Sequence, residues 1–380
     1  MRRVLWLVAI LFFSGDLSAQ TEGTGYWTYK EYMSLHPEQR QKAATFSAMV
    51  RADAVPEQGL KKTVKVAVVY PGKQVSDYWW RSVSSLEARL REHNLPYEIY
   101  PNFTEPGVDV RLQEKQIAQA LETDPDYLIF TLDAFRHRSI IERIMARGRP
   151  KLILQNITTP VRAWGDQQPF LYVGFDHALG SSLLSAKFVK IFPPKTQYAM
   201  FYGTQGYVSA MRGGTFQMES EMYGQAQVVD SFYLGFNREK SKQAALKTLQ
   251  KHKKLPYIFA CSTDIALGII DAAKELGRLD DLVVNGWGGG EAELQAILKG
   301  ELEFTVMRMN DDNGVAMADA ISLDQNGKSA LVPTIYSGDM VLIEKGMEAH
   351  YLQELRNRAF RYSDHWRTKT DQVVTFDGQK

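Results

Sequence analysis

Val64-Lys65-Val66-Ala67-Val68-Val69-Tyr70-Pro71-Gly72-Lys73-Gln74-Val75-Ser76-Asp77-Tyr78-Trp79-Trp80 is the stretch on which the fold turns. Five of its first seven residues are β-branched or aromatic and the run is almost continuously apolar, as in a strand buried on both faces. A Pro-Gly break, a polar loop and a helical pattern follow. The same unit recurs downstream. Strands are expected at residues 97–100, 127–132, 151–155 and 170–175, with helical segments between most of them. A second series is expected at 198–202, 228–234, 257–260, 282–285 and 304–307. Consecutive βαβ units build a largely parallel sheet, so the fold class is α/β with two doubly wound, Rossmann-like lobes.

The length agrees, since 380 residues exceed what one core usually organises. Upstream, Arg2 and Arg3, the apolar run from Val4 to Phe13 and Leu17-Ser18-Ala19 read as a cleavable secretory signal over residues 1–19. The apolar run is far below the roughly 20 residues needed to span a bilayer. Residues 20–61 form an extension of polar helical segments broken around Pro37, ending in the linker Val55-Pro56-Glu57-Gln58-Gly59. Lobe 1 is assigned to 62–176 plus 311–331, lobe 2 to 177–310 plus 332–365, and a tail to 366–380. Three chain crossings join them, near 175–179, 309–312 and 331–334.

Lys plus Arg (45) and Asp plus Glu (44) nearly cancel, so no global field favours nucleic acid or an anionic bilayer. The single cysteine, Cys261, cannot form an internal disulfide, and its apolar run Tyr257-Ile258-Phe259-Ala260 points to a buried, inert thiol.

In doubly wound sheets ligands sit just beyond the carboxyl ends of the strands, so polar residues there are the candidates. Gln74 and Ser76 follow the first strand, with the adjacent indoles of Trp79 and Trp80 at the start of a helix. Ser76 or Asp77 reads equally as a helix cap, and either indole as core. Asn156 ends the fourth strand and supplies a donor and an acceptor, or a turn. Thr263 and Asp264 follow the Cys261 strand and also read as a cap. Gly286-Trp287-Gly288-Gly289-Gly290 lacks the spacing of a nucleotide fingerprint; its glycines suit close approach of backbone to a ligand, with Trp287 as a stacking wall. Arg212, in a predicted helix after the sixth strand, and Arg308, ending the strand at 304–307, are surface charges or cleft residues. If both are buried around one pocket, an anionic ligand is implied, because two unpaired buried cations are costly.

Catalytic and metal constellations do not assemble. The histidines lack metal-ligand spacing, with His137 alone between Arg136 and Arg138, and no Gly-x-Ser-x-Gly elbow occurs. Asp280-Asp281 and Asp311-Asp312 fall at element boundaries, where caps and turns are the ordinary use of such pairs. Neither an enzyme nor a metal site is expected.

Long phrases of the chain resemble the type I periplasmic binding proteins and, within them, the autoinducer-2 receptors of vibrios. They include Val68-Val69-Tyr70-Pro71-Gly72 with Gln74-Val75-Ser76-Asp77-Tyr78-Trp79, the segments 127–133, 152–162 and 170–177, and later 260–264, 285–290, 306–312 and 358–364. The resemblance covers nearly the whole mature chain, including Gly25-Tyr26-Trp27 and Pro37-Glu38-Gln39-Arg40. Departures at Lys73, Trp80 and Gly213-Gly214 flank the contacts.

The resemblance implies an exported receptor of the periplasm that binds autoinducer-2 as a furanosyl borate diester between its lobes. It also implies signalling to a membrane hybrid sensor kinase, LuxQ, through that kinase's periplasmic domain. Boron is then part of the ligand, and no cofactor is expected. By motif position the ligand contacts are Gln74, Ser76, Trp79, Asn156, Arg212, Thr263, Trp287 and Arg308, with the two arginines neutralising the borate. The rival reading is a pentose-type sugar-binding protein that feeds an ABC transporter; a secreted hydrolase would need a nucleophile and base that do not assemble.

Overall fold

The computed structural model describes residues 25–56, 62–107, 109–132 and 135–365. The expected signal (1–19), part of the expected linker (57–59) and the expected tail (366–380) lie outside the described residues. Each expected strand appears, with ends shifted by at most a few residues. They are β1 (Val64–Tyr70), β2 (Tyr97–Phe103), β3 (Tyr127–Phe130), β4 (Lys151–Gln155), β5 (Leu171–Gly174), β6 (Gln197–Tyr202), β7 (Gln227–Tyr233), β8 (Tyr257–Ala260), β9 (Val283–Gly288) and β10 (Phe304–Arg308). Two further strands, β11 (Ile335–Ser337) and β12 (Met340–Glu344), complete the sheets.

The sheet orders are β11-β5-β4-β3-β1-β2 and β12-β10-β9-β8-β6-β7. Pairing is parallel except between β10 and β12. β3 and β5 are buried at every position, as strands covered by helices on both faces must be, whereas the edge strand β2 is half-exposed. In each sheet the first strand lies between the second and third, so chain direction switches beside β1 in one lobe and β6 in the other. That crevice is where a doubly wound sheet accepts a ligand.

The chain leaves lobe 1 after β5 into the helix His177–Ile191 and returns after β10 into the helix Asp311–Gln325. The third crossing is displaced from expectation. β11 pairs with β5 through Ile335↔Tyr172, so lobe 1 extends to Ser337, and the chain crosses at Gly338-Asp339 rather than near 331–334. A three-residue strand carries too little alternation to be read locally. The C-terminal helix Ala349–Ala359 buries Leu352 and Leu355 in the lobe 2 core. Its continuation then meets the hinge: the Tyr362 and Ser363 amides donate to the Asp311 carboxylate at 2.7 and 2.8 Å.

The N-terminal extension belongs to lobe 1. Thr28 opens the helix Tyr29–Leu35 with a capping box, its hydroxyl accepting from the Glu31 amide while the Glu31 carboxylate accepts from the Thr28 amide. Pro37 begins the helix Pro37–Arg51, where its missing N–H costs nothing. Phe46 and Val50 of that helix enter the same core as β1.

The helix Asp311–Gln325 lies against the helix Tyr78–Glu92 with no room to spare. A Cβ on Gly314 would stand 2.0 Å from Ser85 Oγ and 2.5 Å from the Leu86 amide nitrogen. Gly314→Ala is therefore expected to destabilise the fold by about 1–3 kcal/mol, read as a lower urea midpoint at unchanged slope. An unchanged midpoint would mean that this helix pair does not meet as described.

Candidate functional site

Beyond the carboxyl ends of the strands, between the lobes, lies a cleft with about 500 Å³ of empty space, its mouth included. Its lining contains all eight residues singled out above: Gln74, Ser76, Trp79, Asn156, Arg212, Thr263, Trp287 and Arg308. Pro71, Tyr78, Pro106, Thr131, Val208, Phe236 and Ser262 complete it.

The loop after β1 resolves its alternatives one residue at a time. Trp79 is buried against Tyr70 and faces the cleft, whereas Trp80 turns away, stacks on Phe103 at 3.7 Å and donates to the Gly72 carbonyl. Asp77 occupies the cap position without a side-chain cap bond. Its carboxylate instead accepts from Arg81 Nε at 2.7 Å and, across the lobe boundary, from the Glu291 amide at 3.3 Å. Asp264 makes the reciprocal clasp from lobe 2, accepting from the Val75 and Ser76 amides at 2.9 and 3.2 Å. Burial raises the Asp264 carboxyl above its ordinary value, and those two amides oppose the rise. The cap of its own helix falls to Ser262. Ser262 is buried, and its hydroxyl has no partner within the described protein.

Asn156 adopts the left-handed conformation (φ 66°), which asparagine tolerates better than most residues. The turn reading holds, since its backbone turns the chain, and its buried Oδ1 has no hydrogen-bond partner within the described protein.

Arg212 sits in a π-helical turn, Ala210–Gly214, rather than the regular helix expected. Such a wide turn displaces one residue from the helical ladder and occurs often at functional sites. Its Nε donates to His177 Nδ1 at 3.2 Å, its Nη1 donates to the Cys261 carbonyl at 3.0 Å, and its guanidinium lies 3.6 Å over the Trp287 ring. Arg308 lies 4.0 Å over the Tyr78 ring, with Nε 3.4 Å from the Gly288 carbonyl. Both arginines are about 95% shielded from solvent, and among the described residues neither has a carboxylate within ion-pair distance. Burial, with the Arg308 charge, lowers Arg212 to about 9, and burial lowers Arg308 as well. Arg212 so remains charged at neutral pH, and a guanidinium such as that of Arg308 stays protonated in proteins.

The Gly-rich segment approaches protein rather than open cleft. A Cβ on Gly289 (φ +64°) would collide with the Met307 backbone at 2.3 Å. Glu293, fully buried, holds the segment by accepting from the Trp287 amide at 3.0 Å, the Gly289 amide at 2.8 Å and Thr305 Oγ1 at 2.5 Å. The sequence reading missed Thr131 and Ser262, although the strand-end rule that picked Asn156 reaches both. It also missed His177, for which no local signal exists. Cys261 is buried as expected. Among the described residues no cluster of His, Cys, Asp and Glu has metal-holding geometry, and no helix is long and apolar enough to cross a membrane.

Comparison with known proteins places this geometry in context. A sequence model described as "Periplasmic binding protein domain" matches residues 66–329. Among solved structures, an ABC transporter solute binding protein from Agrobacterium vitis with bound D-fucose is similar at TM-score 0.69 and 16% identity, covering 76% of this chain and 98% of that one. One from Bacillus halodurans C-125 with bound myo-inositol gives 0.65 and 18%, covering 79% and 98%. A third, from Actinobacillus succinogenes 130z with bound D-allose, gives 0.64 and 17%, covering 78% and 100%. At these identities the likeness speaks for the fold, and it agrees with the two-lobed α/β architecture.

Proposed function

From the chain's membership of the periplasmic binding protein family, we propose that it is a non-enzymatic periplasmic receptor for a small, oxygen-rich anion, namely the furanosyl borate diester of autoinducer-2. The observation that carries the reading is the pair of buried guanidiniums, Arg212 and Arg308, which have no carboxylate partner among the described residues. Two buried cations cost several kcal/mol unless an anion joins them. A borate ester of a hydroxylated furanone supplies one negative charge and many oxygen acceptors. Gln74, Ser76, Asn156 and Thr263 offer amides and hydroxyls to its oxygens, and Trp79 and Trp287 cover its apolar face. The resemblance of long phrases of the chain to LuxP, the autoinducer-2 receptor of vibrios, supports the same reading.

Closure would be the output. Ligand contacts from both lobes favour the closed arrangement, already clasped by Asp264 and Asp77, and only such differential affinity shifts a conformational equilibrium. A membrane sensor kinase of the LuxQ type would read the closed surface. Ligand-independent lobe geometry in small-angle scattering would contradict this.

A second reading has its own support. The solved relatives are described with bound D-fucose, myo-inositol and D-allose, which favours a sugar carrier for an ABC transporter. Calorimetric titration of the mature protein with the autoinducer-2 precursor, with borate and with boron removed, separates the two. Tight binding only with borate is the expected result. Equal binding without boron, or binding of a neutral pentose alone, would assign the protein to sugar carriage.

A further inference from the structure

His177 opens the first helix of lobe 2 and is 1% exposed. Its two ring nitrogens face opposite halves of the site. Nε2 stands 3.0 Å from the Asn156 carbonyl oxygen, at the end of β4 in lobe 1. Nδ1 stands 3.2 Å from Arg212 Nε in lobe 2. A carbonyl oxygen only accepts and a guanidinium N–H only donates, so the two partners together define the ring: Nε2 carries the proton and Nδ1 is the bare acceptor. Tyr207 and Trp287 wall the imidazole, with ring centroids at 5.7 and 5.1 Å.

Arg212 is thereby fixed on three sides. Nε is taken by His177, Nη1 by the Cys261 carbonyl, and one guanidinium face by Trp287. The Nη2 protons make no hydrogen bond within the described protein and are left for the cleft. We propose that His177, as the Nε2–H tautomer, is a positioning residue that aims Arg212 into the cleft, ties it to Asn156 across the lobe boundary, and so enforces the preference for an anion. This rests on the anionic-ligand reading above.

A second proton on the ring would have to sit on Nδ1, opposing the Arg212 N–H donor to donor, beside two guanidiniums. The ionisable groups around the ring are Arg212, Arg308, the Tyr207 phenol and, at the helix start, Asp176, whose carboxylate accepts from the Leu179 amide. Burial first, then the Arg212 and Arg308 charges, push the imidazole well below the ordinary histidine range. Below about pH 6.5 the unfolded chain therefore takes up a proton that the folded ring refuses, and this site's contribution to stability falls as pH falls.

Two readouts test the proposal. In ligand-free protein with ¹⁵N-labelled histidine, the His177 nitrogens should report a bare Nδ1 and a protonated Nε2 from about pH 5 to 8; an Nδ1–H or doubly protonated ring overturns the assignment. In calorimetry with the autoinducer-2 precursor and borate, His177→Phe keeps the ring packing but removes the acceptor, and should weaken binding at least tenfold. His177→Gln restores an acceptor and a donor and should recover most of that loss. Binding by His177→Phe equal to wild type overturns the positioning role. If His177→Phe does not fold, His177→Gln and the nitrogen shifts still decide it. If wild-type protein shows no borate-dependent binding, the anionic-ligand reading fails by itself, and the nitrogen shifts alone judge His177.

Discussion

Replacing Arg212 or Arg308 by methionine is expected to weaken binding of the borate diester at least tenfold, a loss of about 1.4 kcal/mol or more. Methionine keeps an unbranched apolar stem beside Trp287 or Tyr78 and deletes only the charge and its donors. The ligand-free protein should respond in the opposite sense. A buried guanidinium with no counter-ion destabilises the empty closed cleft, so each variant should melt at or above the wild-type temperature without ligand while gaining less from ligand. Affinity for a neutral pentose should hold or improve, because it no longer leaves a cation unpaired. Calorimetry and thermal unfolding of the two variants check both signs. Unchanged affinity in both would remove the basis for an anion.

The largest effect on stability is expected from Asp319→Ala, a loss of about 3–5 kcal/mol in urea unfolding. Asp319 is fully buried in the helix Asp311–Gln325, and its carboxylate accepts from Arg89 Nε at 2.7 Å and bonds His93 Nε2 at 2.7 Å. Arg89 also donates to the Ala52 and Met49 carbonyls, closing the C-terminal end of the helix Pro37–Arg51. One carboxylate therefore joins the hinge-proximal helix, the helix that follows the first ligand loop and the N-terminal extension. Its removal leaves the buried Arg89 with only the half-exposed Glu92 carboxylate, at 3.4 Å, as an anionic partner. The double variant Arg89→Met with Asp319→Leu should recover a large part of the loss, since replacing both partners by apolar groups is far milder than orphaning one. A cost below about 1 kcal/mol for Asp319→Ala would contradict a buried network at this point.

Much of the molecule was legible because strand signals are local. The continuous apolar run Val64–Tyr70 announces a strand covered on both faces, and its recurrence announces two sheets. The strand-end rule gathered the candidates, the family resemblance narrowed them to eight, and those eight line one cleft. Local reading stalled where a residue had two sound uses. Whether Trp79 or Trp80 faces the cleft depends on Phe103, a residue of β2 that stacks on Trp80. Asp77 and Asp264 look like helix caps in sequence, and their partners are amides of the opposite lobe.

By itself, then, the sequence determined the fold class, the positions of ten of the twelve described strands to within a few residues and the chemical types gathered at the strand ends. Those follow from backbone geometry and from side-chain periodicity over a handful of neighbours. Only the tertiary structure decided that both arginines are buried without a carboxylate partner among the described residues, that His177 joins Asn156 to Arg212, and that β11 belongs to lobe 1 while β12 runs antiparallel in lobe 2. Each of these depends on which distant segment lies opposite. That is set by burial and charge pairing between residues tens to hundreds of positions apart, and no local pattern encodes it.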